Sequence, residues 1–414
     1  MKKVFYINDS TENKISYYHL LFFLLALPFD RIYSTLILIS FVIHSIIFLD
    51  KSKFKKIDTS TLVPQFVFYI TVISAIYSQS ASESLATISR QLALFIFPIL
   101  FAITSLDLAK YRDRIMDALA ATCALIVIYL YYDALHSIHY YRLPLKDLFS
   151  LAFVNQNFSE PLDMHPTYLS MLIVLSIVQS LTKIISKSEK STYYIVINLI
   201  LFAGLVQLSS KSAFLSLLVI VIAGIPFLII KPEKRFKFVL SSFIASLLLI
   251  SCMLSVQAFK NRYITTLKND LVESREVVNM NGRLDRWAVA INLIKQSPVI
   301  GTGSGSEIPL LKDAYFKLKM YGPYLFSLNA HNQYLSFLIT SGIVGLIVYL
   351  TALSWGLWQS VKTRDILLFS FIMVIMIVSF SEDLLDVNKG IFFFAFFYPF
   401  FLKTRQSLKH NFIK

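Results

Sequence analysis

The chain has 414 residues, 56% of them hydrophobic, with a mean hydropathy of +0.64. A soluble domain cannot hide that much apolar surface, whereas lipid can serve as solvent for the outside of a helical bundle. The net charge of +14 would suggest nucleic acid as partner of a soluble protein, but the basic residues lie mostly in short loops between apolar runs, a pattern of membrane topology that argues against a nucleic-acid face.

The N-terminal stretch MKKVFYINDSTENK is polar and flows into an apolar segment with no small-residue cleavage site. The first span is therefore expected to act as an uncleaved signal anchor. Uncharged runs predict spans at roughly 16–29, 32–49, 62–78, 88–105, 115–133, 166–182, 192–210, 212–230, 238–257, 332–358, 365–381 and 390–402. Several are shorter than the ~20 residues of an upright helix. Pro28 and Asp30-Arg31 split the first pair into a tight hairpin. Cys123 and Cys252 both fall in apolar runs and suggest neither a disulfide framework nor a metal site.

Charge asymmetry between alternate loops sets the orientation. With the N-terminus in the cytoplasm, the inside segments hold Lys2, Lys3 and Lys14; Lys51, Lys53, Lys55 and Lys56; Lys110, Arg112 and Arg114; Lys183, Lys187 and Lys190; Lys231, Lys234, Arg235 and Lys237; Lys362 and Arg364; and Lys403, Arg405, Lys409 and Lys414. The short outside loops hold only Arg31, Arg142, Lys146, Lys211 and Lys389. An all-α, polytopic membrane protein with about twelve spans and both termini inside satisfies the rule at every loop. Two outside segments are long, 134–165 and 258–331. The organisation expected is an N-terminal bundle over 1–257, a large periplasmic loop over 258–331, and C-terminal spans with a tail over 332–414. The loop is partly helical, with a 3.6-residue period in RLDRWAVAINLI (Arg283–Ile294) that breaks at the Pro/Gly/Ser turn SPVIGTGSGS.

Charge at a membrane surface is costly and so informative. His331, in NAHNQYLSFLITSGIVGLIVYL, sits where the large loop meets the tenth run. An imidazole there can meet water and a lipid-borne substrate together and serve as a general base, or it can be an interfacial His bonded to a neighbour. Lys211, in QLSSKSAFLSL, divides two apolar runs, either to hold an anionic headgroup or phosphate or to snorkel in a tight turn. Arg283 and Arg286, in NGRLDRW, lie one helical turn apart. They suit a diphosphate, or pair with Asp285 or Glu276. Arg90, just inside the fourth run, needs an anion or a cluster of carbonyls, and Glu83 is a candidate partner. His165 precedes Pro166, a helix-starting position, and Glu382-Asp383 mark another outer helix end. A carboxylate of that pair could orient His331 or bind an acceptor hydroxyl. All five places fall on one side of the predicted topology, which suggests a site for a lipid-linked anion.

His331-Asn332, nine residues, Gly342, two residues, then Gly345 resembles the H-[NSQ]-x9-G-x-x-[GTY] pattern of bacterial O-antigen ligases. Gly282-Arg283-Leu284, Trp287, Pro298 and Ile300-Gly301-Thr302-Gly303 are similar to the large periplasmic loop that those ligases share with related polymerases. SSKSAFLSL resembles the family's Ser-Ser-Arg-Thr/Ser-Ala stretch, with Lys211 where Arg is usual, which keeps the charge and loses the bidentate fork. HPTYLS and GIFFFAFF resemble versions of the family from Bacteroidota-type bacteria. The resemblance implies a GT-C-like membrane glycosyltransferase of the bacterial inner membrane. Such an enzyme moves a glycan from undecaprenyl pyrophosphate to a sugar hydroxyl of lipid A–core at the periplasmic face. It implies no metal and no cofactor, because the pyrophosphate is already a good leaving group. His331 would be the base, and Arg283 with Arg286, Lys211 and Arg90 the clamp on the diphosphate; His165, Glu382 and Asp383 would orient or meet the acceptor. The sequence shows no metal-binding acidic cluster. A surface-polysaccharide polymerase and a protein O-oligosaccharyltransferase fit the same motifs. A transporter or flippase fits less well, since it needs ionisable groups at the bilayer midplane and the deep runs are nearly charge-free.

Overall fold

The computed structural model describes residues 6–50, 58–265, 268 and 282–405. Glu276, the lysines at 2, 3, 51, 53, 55, 56, 409 and 414, and most of 266–281 lie outside the described residues. All regular structure among the described residues is helical. That is what lipid demands of an open chain, because a helix satisfies its backbone N–H and C=O groups within its own segment.

Each of the twelve apolar runs falls on a helix. In chain order these are α1 (Thr11–Ala26), α2 (Arg31–Ile47), α3 (Gln65–Ala75), α4 (Ala81–Ile103), α5 (Leu108–Tyr140), α6 (Pro166–Ile185), α7 (Ser191–Leu208), α8 (Lys211–Leu228, including a π turn at Ile220–Gly224) and α9 (Pro232–Ser255). The two longest helices described in the loop follow, α10 (Arg283–Ile294) and α11 (Glu307–Lys317). The chain closes with α12 (Gln333–Thr363), α13 (Ile366–Val378) and α14 (Asn388–Thr404). The polar residues between runs are largely helix caps. Asp30, Ser80, Asp107 and Asp365 each accept a backbone N–H from the first turn of the helix that follows.

The protein is a polytopic membrane protein, but the helices are unequal. Seven of those described are long and apolar enough to cross a membrane: α4 to α9 and α12. The other five of the expected twelve are shorter. The 11 residues of α3 extend only ~17 Å at 1.5 Å per residue, against a hydrocarbon core of ~30 Å. The reason is visible where α3 ends. Tyr77 donates to the Ile300 carbonyl at 2.5 Å and Ser78 to the Ser304 carbonyl at 2.8 Å, so the chain leaves the helix to bind the loop. At α5 the difference has the opposite sign. The helix runs to Tyr140, and the expected outside segment 134–165 keeps only short helical turns after it.

The centre of the bundle is α6 and α14. Every residue from Pro166 to Ser180 is buried, and so is nearly all of NKGIFFFAFFYPFFLKT. The aromatic run packs by ring contacts with Phe23, Phe97, Phe101 and Phe371. By contrast α9 buries only Met253 and turns Phe243, Leu247 and Leu248 outward, as a lipid-facing helix should. At the end away from the loop, Arg112 makes a two-pronged bond to Asp365 at 2.6 and 2.7 Å, with both side chains buried. Removing one partner of such a pair strands a buried charge, a cost of about 3–5 kcal/mol. Lys183–Asp113 and Arg405–Asp58 pair at the same end.

One break organises the loop end. Within α12, Gly342 has φ 61° and ψ −160°, so the helix is two pieces in line. Loop residues 298–303 run through the gap. Ile343 and Val344 donate to the carbonyls of Pro298 and Val299, while Thr302 and Gly303 donate to those of Ile339 and Thr340. A Cβ on Gly342 would lie 2.2 Å from the Val299 oxygen, and one on Gly301 would lie 2.5 Å from the Ser341 nitrogen. Both glycines also hold positive φ, the conformation that side chains resist. The spacing from His331-Asn332 to Gly342 and the Ile300-Gly301-Thr302-Gly303 turn are therefore two halves of one joint.

Candidate functional site

His331 and Asn332 divide the work of starting α12. Asn332 is its N-cap, and its side chain accepts from Tyr334 and Leu335 N–H at 3.0 and 3.2 Å. His331 stands just before the cap at φ 48°, an uncommon conformation that the surroundings must enforce. They do so from several directions. His331 N–H donates to Asn329 Oδ1 at 3.1 Å, Ala330 N–H to Glu307 at 3.1 Å, and Asn332 N–H to Asp383 at 2.9 Å. From α10, Trp287 Nε1 donates to the Ala330 carbonyl at 2.9 Å and Arg286 to the Asn329 carbonyl at 3.0 Å.

The imidazole Nδ1 lies 3.5 Å from Glu382 Oε2. Thr167 donates to the other Glu382 oxygen at 3.3 Å, and Ser210 to Thr167 at 3.5 Å. A polar chain thus joins the start of α12, the turn after α13, the start of α6 and the start of α8. Burial works to raise the Glu382 pKa, but the bond to His331 and the charges of His165, His331 and Arg283 outweigh it, and the carboxyl is held below its ordinary value. His165, the N-cap of α6, is lowered by burial despite the Glu382 charge, with His331, Arg262 and Arg283 acting in the same direction as burial. Nδ1 is thus the ring nitrogen turned toward the carboxylate, and Nε2 is the one turned away from it.

Beside this chain is a cleft of about 220 Å³, lined by Thr167, Ser210, Lys211, Arg262, Arg283, Trp287 and Glu382 among others. It gathers three cationic side chains against one carboxylate. Helices α6, α8 and α10 all begin at its wall, with Thr167, Lys211 and Arg283 in their first turns, and helix N-termini carry partial positive charge. Its lining carries more positive than negative charge.

Of the residues singled out in the sequence, the structure brings Lys211, Arg283 and Glu382 to one cleft. His331 joins them through Glu382, and His165 lies close enough to feel its charge. Arg283 and Arg286 do not share a direction. Arg283 lines the cleft, and Arg286 is buried beneath the backbone that carries His331. Arg90 is elsewhere. It donates to Thr87 at 3.1 Å and lines a second cleft, of about 320 Å³, with Glu83, Gln91, Glu307, Lys312, Gln333, Ser336 and Asp386. Asp383, next to Glu382 in sequence, turns to that second side.

Two features escaped the sequence. Arg262 completes the cationic cleft from just beyond α9; its only signal was a cation at an outer helix end. The second is acidic, where none was expected. Glu307, Asp383 and Asp386 meet within 4.8 Å of one another through one oxygen each. Burial lifts Glu307 to about 7, with the Asp386 charge adding to it, and pushes Asp383 well up. Burial also raises Asp386, against the pull of Arg90.

Residues 196–350 match the family model described as O-antigen ligase. No curated protein matches the chain.

Proposed function

We propose that this chain, whose residues 196–350 match the O-antigen ligase family model, is a ligase that moves a glycan from undecaprenyl pyrophosphate to a sugar hydroxyl of lipid A–core. The observation that carries the reading is the cationic cleft of Lys211, Arg262 and Arg283 set beside the His331–Glu382 pair. The cleft would hold the diphosphate, whose charge grows as the glycosidic bond to it breaks, and preorganised cations stabilise that growth. His331 Nε2 would take the proton of the acceptor hydroxyl as it attacks the anomeric carbon. Glu382 would hold the imidazole and offset the charge it gains. Arg286 and Trp287 act through the 329–330 carbonyls and are positioning residues. A surface-polysaccharide polymerase would use the same donor chemistry with a second lipid-linked glycan as acceptor.

The test is transfer by the purified protein in detergent with a defined polyprenyl-pyrophosphate glycan and defined acceptors. The ligase reading expects product on lipid A–core and none on a second lipid-linked glycan. The reverse outcome replaces ligase by polymerase, and no transfer to either removes both readings.

We also place the loop end in the periplasm of an inner-membrane protein, because the short-loop lysines and arginines gather at the other end. Reporter fusions at Lys187 and Lys234 are expected to report cytoplasm, and one at Lys317 periplasm. A cytoplasmic signal from Lys317 would invert the protein and the face on which transfer occurs.

A further inference from the structure

The second cleft holds an arrangement that the transfer reaction does not use. Glu307 comes from the start of α11, and Asp383 and Asp386 from the turn between α13 and α14. One oxygen of each lies within 4.8 Å of the others. Glu307 and Asp383 are each only 3% exposed. Each spends one oxygen on a backbone N–H beside His331, Ala330 and Asn332 respectively. The remaining oxygens, Glu307 Oε2 and Asp383 Oδ2, are buried with no hydrogen-bond partner. A buried polar atom without a partner calls for an explanation.

From this geometry we infer that Glu307, Asp383 and Asp386 form a binding site for a hard divalent cation, calcium in preference to magnesium, which ties the loop to the α13–α14 turn on both sides of His331. Three carboxylates are the oxygen donor set of calcium and magnesium, whereas softer metals favour nitrogen and sulfur. Two oxygens on opposite sides of an ion are separated by twice its bond length. That distance is ~4.6–5.2 Å for calcium and ~4.0–4.2 Å for magnesium, so a triad spread over as much as 4.8 Å takes calcium without closing in. Half-buried Asp386 lies at the wall of the open cleft, which supplies an entry path and room for the waters that complete the shell. Ser336 and Gln333 line the same cleft. Arg90 and Lys312 line the same cleft, two cations beside three carboxyl groups.

Full-length protein, purified in detergent and stripped with EDTA, is titrated with CaCl2 and separately with MgCl2 near neutral pH. Thermal unfolding and bound calcium per chain are read together. The expected result is a saturable rise in unfolding temperature with CaCl2, weaker with MgCl2 and reversed by EDTA, with one calcium bound. Asp386→Asn removes a carboxylate at the accessible edge and should weaken calcium at least ~10-fold, since carboxylate count tunes such sites over decades. Glu83→Gln, in the same cleft but outside the triad, should bind as the unchanged protein does. Wild-type protein that ignores CaCl2 and is instead stabilised as pH falls would overturn the inference and assign protons to the carboxyl groups. A calcium response that survives in both Asp386→Asn and Glu307→Gln would overturn it too, by placing the ion elsewhere.

Discussion

Replacing His331 by Ala is expected to cut glycan transfer by ~10²–10⁴-fold, the usual contribution of a general base, while donor binding in the Lys211–Arg283 cleft survives. His331→Gln separates chemistry from architecture. An amide can reach Glu382 but cannot carry the proton, so the Gln variant should be nearly as inactive as the Ala variant. Glu382 is held below the ordinary carboxylate range by His331, His165 and Arg283, so it stays ionised to a lower pH than an ordinary carboxyl group. Wild-type activity in His331→Gln would reduce His331 to a helix-start residue and leave the pyrophosphate to depart without base catalysis.

Arg283→Ala is the second large effect. Loss of one preorganised donor to developing charge costs about 2.7–4 kcal/mol, or ~10²–10³-fold in kcat, here with normal membrane insertion because Arg283 is at the cleft wall rather than under the loop. Arg283→Lys should recover part of the loss, as a point charge without the bidentate fork. Lys211→Arg is its companion: a gain in rate would show that the start of α8 also favours the fork. Full activity in Arg283→Ala would transfer the diphosphate to Lys211 and Arg262 alone.

Much of this was legible in the sequence for a physical reason. A bilayer forces apolar runs to be helices, so the twelve runs located the helices, and Asp30 and Asp365 at their breaks are caps of the helices that follow. The lengths were less legible. Hydropathy does not say that Tyr77 and Ser78 will leave α3 to bind the loop. His331 could be picked out because its motif spacing is a geometric requirement, the distance from a helix cap to a break that only glycine fills. The partition of Arg283 and Arg286 was misjudged because residues three apart on a helix differ by about 60° around its axis. That is enough for one to face the cleft and the other to lie under the Asn329 carbonyl. The joining of Arg262 to the cleft and of Asp383 to Glu307 and Asp386 could not be read, since contacts between distant parts of a chain leave no local pattern.

The threading of 298–303 through the gap at Gly342 bears on modularity. A large loop between two spans invites treatment as a cassette, to be exchanged among related proteins. Here the loop supplies backbone partners to both halves of α12, and the helix supplies the space that Gly301 requires. Neither surface is complete without the other, so the unit of inheritance and of engineering is the loop together with the first three turns of the helix after it. A chimera joined at the membrane boundary would cut through that unit, whereas one joined beyond Gly345 would carry it whole.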